Sequence, residues 1–267
     1  GPPGFMMRLV SHVLMMAAFA AAAPLFAQEA TPQRVRSRTH LRGDLFLVQD
    51  GDQYSVLYDT PHGVLVGDPL NTSFARWLRD DMAKSQPGKV VRFVVHTHHD
   101  PVRAGGAGVF DSTAEIVAHE GFNREVEYLR RSGGGAADVL PAETEYRAQH
   151  TITLGGRTVE LLHIASAHAP ALTAVYFPAE RVLFASRYPA LGGASRGASA
   201  STPPGGRAWL ERIEPLHFEV VAHGDGTTTP KQALLAIKPY VEELLSAVRR
   251  GIAANRSLAT LQEQIAL

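Results

Sequence analysis

Cysteine is absent from all 267 residues. Disulfides and thiolate ligands are thereby excluded, and any metal has to be held by His, Asp or Glu. An excess of either charge is missing as well, since 26 basic residues face 26 acidic ones. Without a basic block there is no electrostatic footprint for nucleic acid. A long apolar run occurs only at Val13–Ala23, behind Arg8. It is too short to span a membrane and has the make-up of a secretory signal, with Leu25-Phe26-Ala27 offering a cut. Gly1–Phe5, ahead of Met6-Met7, read as the remnant of a tag or as a misplaced start. Residues 1–27 are therefore set aside as tag remnant and signal peptide. Residues 28–40 form a polar leader, and 41–267 a single domain with no membrane span. The expected location is the bacterial periplasm or the medium.

What remains is long enough for a substantial core. Leu45–Val48, Tyr54–Tyr58 and Val64–Val66 are short β-type runs separated by Gln49-Asp50-Gly51-Asp52 and Thr60-Pro61-His62-Gly63, which read as hairpins. Phe74–Ala83 has helical spacing, with Ser73 as its cap. A β-branched run at Val90–Val95 follows, then a short strand at Ile116–Val117 and a charged helix over Glu120–Arg131. Thr151–Leu154, Thr158–Ile164, Thr173–Phe177 and Val182–Ala185 return to the β pattern. Leu191–Gly206, rich in Gly, Ala, Ser and Pro, reads as a loop. A helix at Trp209–Ile213, a strand at Glu219–Ala222 and amphipathic helices over Pro230–Ala266 complete the chain. Two strand-rich halves thus each end in helical material.

Polar residues of ligand type leave the end of the strand at Val95. Thr97 to Gly106 read Thr-His-His-Asp-Pro-Val-Arg-Ala-Gly-Gly. The segment resembles the metal-binding signature of the metallo-β-lactamase superfamily, Thr-His-x-His-x-Asp-His-x-Gly-Gly. In a gapless register Thr97, His98, Gly105 and Gly106 match, while Asp100, Val102 and Arg103 replace His, Asp and His. An alternative register reads His96-x-His98-x-Asp100 as His-x-His-x-Asp. Ile164-Ala165-Ser166-Ala167-His168 resembles the family's Gly-x-x-His loop and retains His168. Val182-Leu183-Phe184-Ala185-Ser186-Arg187 resembles Val-Leu-Phe-x-Gly-Asp, with Arg187 in place of a bridging Asp. Val221-Ala222-His223-Gly224-Asp225 resembles Pro-Gly-His-Gly-Asp and retains His223, and Asp68 matches a supporting acidic position.

The resemblance implies an α+β fold, the four-layer αββα sandwich, and a metal-dependent hydrolase. His98, Asp100 and His168 would offer one zinc two imidazoles and a carboxylate, enough for a mononuclear site with an open position. Such a zinc would activate water against an ester, lactam, lactone or thioester. The second metal position would keep only His223, because Val102 cannot coordinate and Arg103 and Arg187 are permanent cations. A different chemistry follows from those arginines: a metal-free member of the family whose cleft binds a small anion through charge-assisted hydrogen bonds. The other histidines, His96, His99, His119, His150, His163 and His217, read as structural or solvent-facing.

Overall fold

Apolar residues alternate along the strands, and the alternation decides which layer each one faces. In the computed structural model the described residues are 34–164, 170–190, 198–200 and 203–264, of which 188–190, 198–200 and 203–204 are described by backbone alone. The first sheet runs in sequence order through β1 (Arg36–Arg42), β2 (Leu45–Asp50), β3 (Gln53–Thr60), β4 (Gly63–Gly67), β5 (Val91–His96), β6 (Glu115–His119) and β7 (Thr144–Tyr146). Its first half is an antiparallel meander, and β4 to β7 are parallel. The crossovers between the parallel strands carry α1 (Thr72–Ser85), the single turn α2 (Pro101–Ala104) and α3 (Phe122–Arg131).

The second sheet contains β8 (Gln149–Leu154), β9 (Arg157–His163), β10 (Thr173–Phe177) and β11 (Val182–Ala185). A small separate pair follows, β12 (Tyr188–Ala190) with β13 (Ala198–Ala200), and then α4 (Pro203–Ile213). The sheet is completed by β14 (Val220–His223) and β15 (Thr228–Pro230), giving the order β15-β14-β11-β10-β9-β8. Helices α5 (Lys231–Leu235), α6 (Lys238–Ala253) and α7 (Leu258–Gln264) close the chain. No helix among the described residues is long and apolar enough to cross a membrane.

The two sheets share one buried layer. Leu65 and Val95 of the first pack with Val175 and Phe184 of the second. Their sequence neighbours point the other way. Val64, Val66 and Val94 meet Phe74 and Leu78 of α1 and Phe122 of α3. Leu183 and Val221 meet Trp209 and Leu210 of α4 and Val241 of α6. The layers are therefore helix, sheet, sheet, helix, the αββα sandwich. Each fully buried side chain of this size contributes about 1.5–3 kcal/mol. Polar links also cross the inner layer, among them one from Tyr58 to Glu180. The Tyr58 hydroxyl lies 3.0 and 2.9 Å from the two carboxylate oxygens of Glu180. Burial, followed by that carboxylate, raises the phenol's pKa.

Three expectations need correction. Strand β1 starts at Arg36, inside the stretch read as a leader, because its pairing with β2 and the arginine contacts to buried Asp50 supply what its polar sequence lacks. The cap of α1 is Asn71 rather than Ser73: Asn71 Oδ1 accepts from the Phe74 amide at 3.0 Å. Part of the expected loop over Leu191–Gly206 is ordered as β13 and the start of α4, while 191–197 and 201–202 lie outside the described residues.

Candidate functional site

Beyond β4 the chain turns sharply at Asp68, whose φ of 57° is a left-handed conformation that Asp tolerates better than most residues. The turn brings its carboxylate under the end of β5. There it accepts from the Thr97 amide at 2.8 Å and the Thr97 hydroxyl at 2.6 Å. Thr97 has a single hydroxyl proton and gives it to Asp68. The short contact between Thr97 Oγ1 and Ser186 Oγ must therefore be donated by Ser186.

Asp100 caps α2. Its Oδ1 accepts from the Val102 amide at 3.1 Å, and Pro101 begins the turn. Its Oδ2 accepts from Arg187 Nη2 at 2.7 Å. Arg103, one turn later, is 3% exposed. Nη1 donates to the Tyr54 carbonyl at 3.1 Å and to Asp68 Oδ2 at 3.3 Å, while Nη2 donates to the Gly224 carbonyl at 2.9 Å. Burial pulls the guanidinium pKa down and Asp68 pushes it back up. Burial likewise raises the Asp68 carboxyl pKa, against Arg103 and Thr97, which lower it. A Cβ on Gly224 would stand 1.8 Å from Arg103 Nη2 and 2.4 Å from the Ser186 carbonyl, so glycine makes the guanidinium's seat. Gly106 also serves close approach, since a Cβ there would come within 2.3 Å of the Pro69 carbonyl.

The sequence-selected histidines are placed differently from one another. His98 Nδ1 accepts from the Asp100 amide at 2.9 Å, and its ring stacks on His99 at 4.3 Å. Burial, then His99, Arg187 and Arg103, draw its pKa down to about 2. His96 faces the helix layer, as Val94 does, and stacks on Phe122 with ring centroids 4.5 Å apart. The chain leaves the strand after His96, so strand alternation does not carry on to His98. His223 bonds the Thr229 hydroxyl through Nε2 at 3.0 Å and also donates to the Ala185 carbonyl; burial holds its pKa near about 4. His168 lies outside the described residues.

A cleft of about 300 Å³ opens beside this network. Tyr54, Arg103, Ser186, Arg187, Gly224 and Asp225 form most of its wall. Neither His98 nor His223 is among the described residues that line it. Sequence reasoning found the two arginines, Asp68 and the motif that carries Asp225, but missed Ser186 and the carbonyls of Tyr54 and Gly224. Ser186 sat in plain view beside Arg187. A backbone carbonyl leaves no side-chain signal.

The described residues do not fit a metal ion. A ligating imidazole normally donates its second ring N–H to an acceptor. His98 instead accepts at Nδ1, which leaves its proton on Nε2. Asp100 spends one oxygen on its helix and the other on Arg187, and His223 Nε2 is bonded to the Thr229 hydroxyl. Val102 is 50% exposed and has no donor atom. Among the described residues no group of three or more His, Asp or Glu side chains gathers in a way that could hold an ion.

Solved structures share this architecture over most of the chain. A metallo-β-lactamase from Pontibacter korlensis superposes with a TM-score of 0.63 over 78% of this chain and 99% of its own, at 15% identity. The chain has the metallo-β-lactamase fold. On the same fold, the stereoselective inverting sec-alkylsulfatase Pisa1 from Pseudomonas sp. superposes with a TM-score of 0.65 at 15% identity, covering 87% of this chain and 46% of its own. The metallo-β-lactamase FIM-1 from Pseudomonas aeruginosa, solved in a mono-zinc form, superposes with a TM-score of 0.62 at 13% identity, covering 79% and 97%. In sequence, the chain is 29% identical over 147 residues to 2,4-dinitroanisole O-demethylase subunit alpha of Nocardioides sp. (strain JS1661). That match covers 54% of this chain and 43% of the relative, so the chain spans less than half of that protein. No family model matches the sequence.

Proposed function

We propose that this metallo-β-lactamase-fold protein works without a metal and uses an arginine-organised cleft to bind a small anionic molecule. One observation carries the reading: the Arg103 guanidinium sits buried at the cleft wall, tied to Tyr54, Asp68 and Gly224. It supplies fixed positive charge where the resemblance would place a metal. A divalent ion about 5 Å from a guanidinium would be repelled by several kcal/mol even at an effective dielectric near 20. Arg187 is the accessible cation. Its side chain is 35% exposed and, among the described residues, bonded to Asp100, so an anion can share or replace that carboxylate. Pisa1, named as a sec-alkylsulfatase, lends support as a protein of this fold that acts on a sulfate-bearing molecule.

The test is elemental analysis of protein purified without chelator, together with thermal melts. The expected results are far less than one zinc per chain, a melting temperature indifferent to chelator, and a rise with sulfate at fixed ionic strength that Arg187→Ala removes. The mono-zinc form of FIM-1 favours a second reading, a single-zinc hydrolase using His98, Asp100 and His168. One zinc per chain at full occupancy would overturn the metal-free reading and support that one. Export to the bacterial envelope, suggested by Arg8 and the apolar run Val13–Ala23, belongs to the same proposal; cell fractionation tests it.

A further inference from the structure

The cleft carries charges that anion binding alone leaves unused. Arg103 is neutralised by Asp68 and Arg187 by Asp100, and neither of those carboxylates lines the cleft. Two other acids do line it: Asp52, at the tip of the β2–β3 hairpin, and Asp225, after β14. Neither has an ion-pair partner among the described residues, and Arg34, close to Gly51, is spent on Asp50. Four carboxylates against two guanidiniums leave the assembly with a formal charge of −2.

Hydrogen-bond direction points the same way. Thr227 donates twice to Asp225 Oδ1, from its hydroxyl at 2.6 Å and its amide at 3.0 Å, which fixes the carboxylate and leaves Oδ2 without a bond among the described residues. Burial raises the Asp225 pKa, while the bonds from Thr227 and neighbouring His223 lower it below the ordinary carboxylate value. Ser186 lines the cleft and is 1% exposed, and its only proton is committed to Thr97. It therefore gives no proton to a ligand in the cleft. Among the described residues the wall thus holds one accessible cation, Arg187, beside two carboxylates that need a donor carrying positive charge.

Resting on the arginine-cleft reading above, we infer that the ligand is a small zwitterion, with a carboxylate or similar anion on Arg187 and an ammonium received by Asp225 and Asp52. A simple anion would meet Arg187 but also the unpaired acids. A simple amine would meet the acids but also Arg187. A molecule carrying both charges satisfies both, and the cleft's volume limits it to a small one.

Calorimetry with matched pairs of probes tests this at neutral pH and fixed ionic strength. Glycine, β-alanine and γ-aminobutyrate are compared with acetate, propionate and butyrate, and ethylammonium serves as the lone cation. At least one amino acid should bind about tenfold more tightly than its plain carboxylate. Asp225→Asn should erase that advantage by weakening the amino acid, and the plain carboxylate should bind at least as tightly as to the parent, since one repelling charge is gone. Asp52→Asn, at an exposed hairpin tip where folding is not at stake, should reduce it. Equal binding of amino acids and plain carboxylates overturns the inference and leaves the anion reading standing. Binding of ethylammonium as tight as the best amino acid also overturns it. If neither these probes nor sulfate binds, both readings fall together.

Discussion

At the scale of single residues, the site is organised by one buried cation and the gap that admits it. Replacing Arg103 with Met should cost about 3–5 kcal/mol, because Asp68 would remain buried without its counter-charge. Removing both charges, Arg103→Met with Asp68→Asn, should recover part of that loss; urea unfolding of the parent, the two single variants and the double variant would show it. If the double variant is as unstable as the sum of the singles, the pair is not coupled. Gly224→Ala should also destabilise, by about 2–4 kcal/mol, since its methyl group would overlap the guanidinium and the Ser186 carbonyl. The need of Arg103 and Arg187 for carboxylate partners was legible in the sequence, because a desolvated guanidinium must be paired. The hydroxyl chain from Ser186 through Thr97 to Asp68 was not. Its first link joins residues 89 apart in sequence, and only the packing of the two sheets brings them together.

At the scale of elements, local signals and tertiary demand diverge in places. Helix α1 was visible from its apolar spacing, but its cap was chosen by the neighbourhood: Asn71 also donates from Nδ2 to the buried carboxylate of Asp50 at 2.6 Å. Asn71→Ala should therefore cost about 1–2 kcal/mol, at the upper end for a lost cap, as read from the urea midpoint. Strand β1 was hidden because its polar sequence shows no alternation, and its partners are supplied by β2 and Asp50. Strands β6 and β9 belong to different sheets, yet His119 and His163 stack at 3.7 Å between them. Burial, then the neighbouring His163, lowers the His119 pKa; Glu120 raises it and Arg124 lowers it. The folded value lies below the unfolded one of about 6.5, so the unfolded chain takes up more protons there and stability falls as pH drops below about 6.5. His163→Phe keeps a ring in the stack without the second charge. Its urea midpoint should fall less steeply between about pH 7 and about pH 5 than the parent's. An unchanged slope would count against the coupling.

At the scale of the whole molecule, two halves of strands followed by helices already implied two sheets inside two helical layers, and the fold has them. Which loop ends meet at the cleft was not legible, since that depends on how the sheets are stacked. The stacking has a polar pin: Tyr58→Phe would leave the Glu180 carboxylate, 4% exposed, without the phenol and should cost about 1–3 kcal/mol in urea unfolding. A loss below about 0.5 kcal/mol would show that the pin contributes little. The guanidinium of Arg103 joins three distant stretches of chain at one point, as a bound ion would. A bound ion, however, can be lost to dilution, to a chelator or to a competing metal. The guanidinium is covalently part of the chain, so its contacts form as the protein folds and the cation cannot be diluted away. On the metal-free reading proposed above, such a protein would have no apo form to fall into, and its shape would not follow the zinc supply around it.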